Sequence, residues 1–447
     1  MSSTIPDGEN DPDIPVATTP IGEPRHGMFA SLAVRNYRYY FAGQAVSNTG
    51  TWMQRIAQDW LVLNLTGSSF AVGITIAMQF LPVLLFGLYG GVIADRFGKR
   101  RLLMLTQGTM GVLAAVLAIL TLTETVHVWH VYLLAFLLGL VTVADGPTRQ
   151  TFVAEMVGQE QLRNAVSLNA ANFETASMTG PAVAGAVIAA VGTGWAFAIN
   201  AVSFIAVVGG LLLMRPVELR PVPRLPREKG QLRAGLRYVA ARPELIGPLV
   251  LVGFVCTLGY NFPTVLSGFA YQVFHLDAGR YGLLNTALAV GALVGALLAS
   301  RRPQVRMRLL VGSAFAFGVL EAVTAFAPNY WLFVAMLTAV GLLGLTFLTS
   351  SNATIQLATE PTMRGRVMSL HMIVFTGTTP IGAPIIGWVT EEWGPRIGLL
   401  VCGAVSAFAA FAIGWIMFRT SGLRVRVSRR GVSVVPRENL AAFSAQA

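Results

Sequence analysis

Carboxylates set in apolar stretches are the residues of this chain with the most chemistry to offer. Asp59, Asp145 and Glu174 each stand in a run of otherwise apolar residues. An ionisable group at a membrane helix centre costs about 2.5–3.5 kcal/mol on insertion scales, so such a position is read as functional by default. An acid there can bind a proton on one side of an apolar barrier and release it on the other. Glu174 has no basic residue within a helical turn, which makes it the leading candidate for that task; the competing role is a hydrogen bond to a neighbouring helix. Asp59 follows Arg55 by four residues on one helical face, so the two are expected to pair. A carboxylate matched by a cation is the poorer proton carrier. Gln44, Asn48, Thr51 and Arg55 continue that face at steps of three and four, a polar stripe that suits a water-filled space better than lipid. Asp145 and Arg149 repeat the four-residue spacing beside Gly146 and Pro147. They read either as a gate network or as helix-end electrostatics.

A second constellation is GGVIADRFGKRR, Gly90 to Arg101. Gly91 removes bulk where a helix end packs, and Gly98 permits a turn before the basic cluster that includes Lys99 and Arg100. Asp95, followed by Arg96, can accept from helix N-terminal amides or pair with an arginine, and so latch one conformation. Arg149, at the same end of the fourth apolar run, is counted with this latch. The competing reading is an ordinary basic loop with two glycines.

These groups must be held by elements suited to a bilayer. Of 447 residues, 54% are hydrophobic and 12% charged, against about 25% charged in soluble domains. Apolar runs of about 20 residues span a bilayer core. Twelve are predicted here, the first over 36–65 and the last over 394–418. With the N-terminus inside, every Lys and Arg other than Arg55, Arg280 and Arg396 lies on the cytoplasmic side, as the positive-inside rule requires. The basic excess therefore reports topology in a cell inner (plasma) membrane and contact with anionic lipid, with no nucleic-acid partner. Residues 1–33, acidic and proline-bearing, read as a disordered cytoplasmic tail. The segment 34–214 forms one six-helix bundle, 215–243 a cytoplasmic linker, 244–418 a second bundle and 419–447 a cytoplasmic tail. Cys256 and Cys402 both sit in apolar runs, which argues against a disulfide scaffold or a cysteine zinc site. No metal and no cofactor is expected.

The halves echo each other. Ser167-Leu168 recurs as Ser369-Leu370, Gly185 as Gly387 and Gly192 as Gly394, each 202 residues later. This offset predicts an all-α membrane protein of twelve transmembrane helices in two six-helix repeats, an arrangement that places a substrate site near the midplane between them.

The motif from Gly91 to Arg100, between the second and third of twelve spans, resembles the signature loop of the major facilitator superfamily. The segments DGPTRQTFVAEMV (Asp145 to Val157), NAVSLN (Asn164 to Asn169), FAINAVSF (Phe197 to Phe204), GLRYVAARPEL (Gly235 to Leu245) and RGRVMSL (Arg364 to Leu370) resemble its bacterial enterobactin-exporter-like and multidrug-efflux-like branch. The resemblance implies two six-helix bundles about a central cavity, alternating access and transport driven by an ion gradient. It also implies an antiporter-type bend in span five, here ASMTGPAVAG, with Gly180, Pro181 and Gly185 retained and Ala176 and Ala184 in place of glycine. Span four lacks the internal arginine of many proton-driven members; Arg149 at its end is the nearest candidate. Spans seven and ten line the cavity in the resembling fold, which makes Tyr260, Asn261, Asn352 and Gln356 substrate contacts or helix–helix hydrogen bonds. Glu321 falls in span nine, peripheral in that fold, and reads as structural; His371 reads as a packing hydrogen bond.

The chain is thus expected to be a monomeric secondary transporter exporting a small organic molecule, drug-like or a secondary metabolite, by proton antiport, its partners being substrate, proton and lipid bilayer. A dedicated siderophore exporter is the alternative within transporters, and a non-transporting receptor the alternative outside them. The sequence has no H-E-x-x-H, G-x-S-x-G or G-x-x-x-x-G-K-[ST], which speaks against a metalloprotease, a serine hydrolase and an ATP-driven pump.

Overall fold

The computed structural model describes residues 27, 29–220, 231–300, 307–420, 423–428 and 431–436. The N-terminal half comprises α1 (Arg35–Thr66), α2 (Ser69–Arg96), α3 (Lys99–Leu122), α4 (Val128–Val191) and α5 (Thr193–Leu213). At 64 residues α4 would be about 96 Å long if straight, some three times the bilayer core of about 30 Å. It breaks at Gly158, whose φ of +69° lies in the left-handed region. Arg149 and Phe152 meet Gln44 and Tyr40 of α1 in descending order, whereas Ala165 and Gly180 meet Tyr37 and Trp52 in ascending order. The two arms of α4 therefore run in opposite directions and make two crossings.

A short helix α6 (Gln231–Ala240) precedes the C-terminal half. There α7 (Pro243–Phe254), a π turn over Val255–Gly259 and α8 (Phe262–Gly268) compose one interrupted span. α9 (Ala278–Ser300), α10 (Met307–Thr324) and α11 (Tyr330–Ala358) follow, then α12 (Arg364–Gly377) and α13 (Thr379–Trp393) as a second interrupted span, and α14 (Pro395–Thr420). Ten stretches are long and apolar enough to cross a membrane. α4 supplies two crossings and α1, whose polar stripe keeps it out of those ten, supplies another, so the described residues are consistent with twelve.

Local structure adds detail to the expected segments. Span four continues to Gly158 with Pro147 inside the helix. Proline there leaves the Val143 carbonyl without its helical donor, and that oxygen is where Gly90 of α2 makes its closest approach. The expected tail over 1–33 lies outside the described residues up to 26, but Ala30–Ala33 forms a 3-10 turn, held by Ser31 donating to Asn164 Oδ1 at 2.7–3.0 Å. The linker contains α6, and the C-terminal tail carries a hairpin of β1 (Leu423–Ser428) and β2 (Gly431–Pro436). Span five carries Gly180 and Pro181 inside a continuous helix.

The 202-residue repeat is a repeat of contacts. Gly180 packs on Thr49, Trp52 and Met53 of α1, and its counterpart Gly382 on Thr257 of the seventh span. Gly192 and Gly394 share a positive φ, +92° and +88°, and cap α5 and α14. Gly185 and Gly387 both lie where the halves meet: a methyl on Gly185 would stand 3.1 Å from the Ala278 carbonyl, and one on Gly387 2.9 Å from Phe70 Cα. Gly73 likewise abuts the Ala383 carbonyl, and Gly282 the Pro181 carbonyl. Trp60 of α1 stacks on Tyr281 of α9 at 5.6 Å. The seam thus closes at the end where α1 gives way to α2. Glu391 of α13 adds a charged tie, accepting from the first backbone amides of α2, Ser69 at 2.9 Å and Phe70 at 3.5 Å, where a carboxylate satisfies orphan amides and the helix dipole together.

Candidate functional site

Three helices of the N-terminal half converge on Asp145. Its carboxylate is 2% exposed. Oδ1 accepts from Thr106 Oγ1 at 2.8 Å and Gln107 Nε2 at 2.7 Å, both on α3. Oδ2 pairs with Arg149, and Arg149 Nη1 donates to Gln44 Oε1 of α1 at 2.8 Å. This places the Asp145–Arg149 pair as expected from spacing and adds Thr106 and Gln107, which sequence spacing did not single out. Gln44, expected on the cavity stripe, is instead 3% exposed and turned into this network. All these partners belong to one half, so in this conformation the network ties α1, α3 and α4 and does not bridge the two bundles.

The signature loop divides into separate anchors. Asp95 and Arg96 close α2, and Gly98 caps α3. Lys99 pairs with Glu155 of α4 at 2.6 Å. Arg100 donates to the Leu211 and Leu212 carbonyls at 2.7 and 3.2 Å, a cation on the C-terminal end of α5 where the helix dipole is negative. Arg149 stands apart with Asp145. Glu155 went unnoticed in the sequence although it lies inside DGPTRQTFVAEMV, because nothing local says which cation it meets. Glu155→Gln should cost about 1.5–3 kcal/mol, the worth of a charge-assisted bond, since both side chains are less than one-fifth exposed. A thermal melt in detergent measures it, and an unshifted midpoint would show that Lys99 loses nothing.

Arg55 and Asp59 make no hydrogen bond or salt bridge, although each lies within electrostatic range of the other. The Arg55 guanidinium lies 4.7 Å from the centre of the Trp52 ring, its Nε without a hydrogen-bond partner, and Trp52 meets Phe173 of α4 edge-on at 5.6 Å. Stacking on an indole competes with a four-residue ion pair for the same guanidinium. Asn48 and Thr51 are half-buried on the same stripe, and Glu174, next to Phe173, is half-buried too.

In the C-terminal half, Tyr260 ends the π turn over Val255–Gly259, a distortion frequent at functional positions. It stacks on Phe317 at 6.0 Å and lies within electrostatic range of both Glu174 and Glu321. Asn261 is 4% exposed and spends its amide on the Thr257 carbonyl at 2.7 Å, while Gln356 donates to Asn352 at 2.5 Å. His371 lacks its expected hydrogen bond: both ring nitrogens are buried without a partner, and the ring lies parallel to Phe375 at 6.4 Å. Among the described residues no cluster of His, Cys, Asp and Glu is arranged to hold a metal ion.

A family model described as "transmembrane secretion effector" (MFS_3) matches residues 26–428. The chain is 23% identical over 404 residues to a staphyloferrin A transporter of Staphylococcus aureus, covering 89% of this chain and 100% of that one. It is 25% identical over 395 residues to the enterobactin exporter EntS of Citrobacter koseri, covering 86% and 92%. Among solved structures it resembles a bacterial homologue of the human lysosomal transporter Spinster, inward-facing and unoccupied, with a TM-score of 0.70 at 13% identity over 86% of this chain and 97% of that one. It also resembles the nucleoside transporter NupG, with a TM-score of 0.67 at 12% identity over 87% and 100%. The fold, the repeat and a family match over nearly the whole chain agree: the chain belongs to the transmembrane secretion effector family of the major facilitator superfamily, a family of membrane transporters and not of enzymes.

Proposed function

We propose that the chain exports a small organic molecule from the cytoplasm by alternating access, in exchange for protons. The observation that carries this reading is the one-ended seam. At the α1/α2 end the halves are sealed by glycine-on-backbone contacts, the Trp60–Tyr281 stack and the Glu391 tie. At the opposite end three ion pairs among the described residues lie within one half each: Asp145–Arg149 and Lys99–Glu155 in one, Arg242–Glu360 in the other. Two bundles joined at one end, with these ion pairs kept inside each bundle at the other, suit a rocking carrier. With the basic residues facing the cytoplasm, this conformation is open inward, and both termini are cytoplasmic.

Of the three acids, Asp145 already accepts from three side chains and Asp59 is nearly buried. Glu174 is the half-buried one, beside the Trp52–Phe173 contact, and is the leading coupling acid. The relatives' names make a siderophore the first substrate class to try, with drug-like cations the second reading. Inverted vesicles carrying the protein are expected to accumulate an iron-free catecholate or citrate-type siderophore, or ethidium, when an inside-acid gradient is imposed. Glu174→Gln should reduce gradient-driven uptake at least tenfold while exchange down a substrate gradient persists. Accumulation indifferent to the gradient in the unmodified protein overturns the antiport reading, and an unchanged pH profile in the variant removes Glu174 from it.

A further inference from the structure

We propose that Glu321 is a second proton-binding site of this carrier, placed in the C-terminal bundle and reached past Tyr260; as a coupling site it rests on the antiport reading above. Glu321 lies on α10, 1% exposed, and among the described residues neither carboxyl oxygen has a hydrogen-bond partner. Buried polar groups are as a rule hydrogen-bonded. A purely structural carboxyl would have been given a donor, and an ionised one a cation.

The helices packed on α10 are α11 and α14. Their titratable groups are few. α11 carries Tyr330 alone, at its first residue, and α14 carries Arg396, Cys402 and Arg419. Cys402 lies within electrostatic range of Glu321. Arg396, the cation at the same end of the bundle, is committed to the Ala325 and Ala327 carbonyls at 2.8 and 3.2 Å and forms no ion pair with Glu321. From the seventh span comes Tyr260, stacked on Phe317, which precedes Glu321 by one helical turn. Glu174 is within range of the same tyrosine from the opposite half. Gly344 of α11 leaves room for this contact, since a methyl there would stand 3.1 Å from Phe317 and 3.2 Å from Tyr260. Tyr260 is half-buried and within electrostatic range of an acid in each half, so it stands between the sealed Glu321 and Glu174.

Glu321 is also three residues from the end of α10, at the end of the bundle that the seam closes here. Opening that end admits water, and the carboxylate gains one O–H bond as one proton leaves the outer solution. Closing the seam removes the water and holds the proton. Its release breaks that O–H bond and passes the proton to water in the inward space or to the Glu174 carboxylate, leaving Glu321 ready for the next cycle.

The test is a pH titration by difference infrared spectroscopy on the full chain in phosphatidylethanolamine–phosphatidylglycerol liposomes, reading the carbonyl stretch of protonated carboxyl groups. The unmodified protein should show a titrating band that Glu321→Gln removes and Glu174→Gln leaves in place; Glu321→Asp should keep a titrating band at a shifted midpoint. Gln fills the same volume and needs no cation, so the variant is expected to fold, and a gel-filtration profile equal to wild type verifies it. A Glu321 band that does not change with pH, or the same titration in Glu321→Gln as in wild type, overturns the proposal. Failure of the antiport reading is seen separately, as wild-type substrate uptake indifferent to an imposed gradient while the Glu321 band still titrates.

Discussion

Asp145→Asn should be the most destabilising single substitution in the N-terminal half, at about 3 kcal/mol, because removing one member of a buried pair strands the other charge. The Arg149 side chain is about one-third exposed, which keeps the figure at the lower end of the range for fully buried pairs. Three helices lose a shared partner at once, since Thr106 and Gln107 of α3 and Arg149 with Gln44 of α1 all converge on this carboxylate. Set against a typical total stability of 5–15 kcal/mol, the loss should appear as a sharp fall in folded protein recovered in detergent and in its melting temperature. The double variant Asp145→Asn, Arg149→Gln removes both charges and should recover most of the loss. Equal melting temperatures for wild type and Asp145→Asn would show that the network carries no stability.

Gly73→Val and Gly282→Val should shift the carrier away from the conformation seen here. A Cβ on Gly73 overlaps the Ala383 carbonyl oxygen, and one on Gly282 stands 2.5 Å from that of Pro181. The obstacle in each case is backbone of the other half, which a rotamer change cannot relieve. Overpacking costs about 1–3 kcal/mol and falls on the closed seam alone, because the contacts exist only while the halves meet there. A difference of that size moves a two-state ratio by roughly 5- to 150-fold. Both native cysteines are buried, so a cysteine introduced at Ser69, fully buried where the seam closes, reports seam opening through its rate of thiol labelling. Labelling should quicken at least fivefold in Gly73→Val, with Gly209→Ala, which faces open space, as the neutral control. Equal rates would mean that the seam tolerates the methyl groups and does not gate the outer end.

The sequence by itself determined the membrane class, the twelve crossings and the two-fold repeat. Hydropathy over some twenty residues is a local property, and the glycines at 180, 185 and 192 recur at 382, 387 and 394 because the first two pairs sit at close backbone approaches and the third pair adopts a positive φ. The pairing of Asp145 with Arg149 was legible for the same reason, both being on one turn of one helix.

Which side chains meet across helices was decided only by the tertiary structure. Each residue turns a helix by about 100°, so a shift of one position swaps a core contact for a lipid contact, and spacing along one helix cannot reveal its rotation against the next. Gln44 therefore turns toward Arg149, and Lys99 finds Glu155. The Glu391 tie joins residues 322 apart, and no local pattern encodes it. Glu321 is the sharpest case: the span that carries it looked peripheral, yet packing against α11 and α14 turns its carboxyl inward, because the close Gly318–Gly403 approach draws α10 onto α14 and fixes which face of α10 is buried.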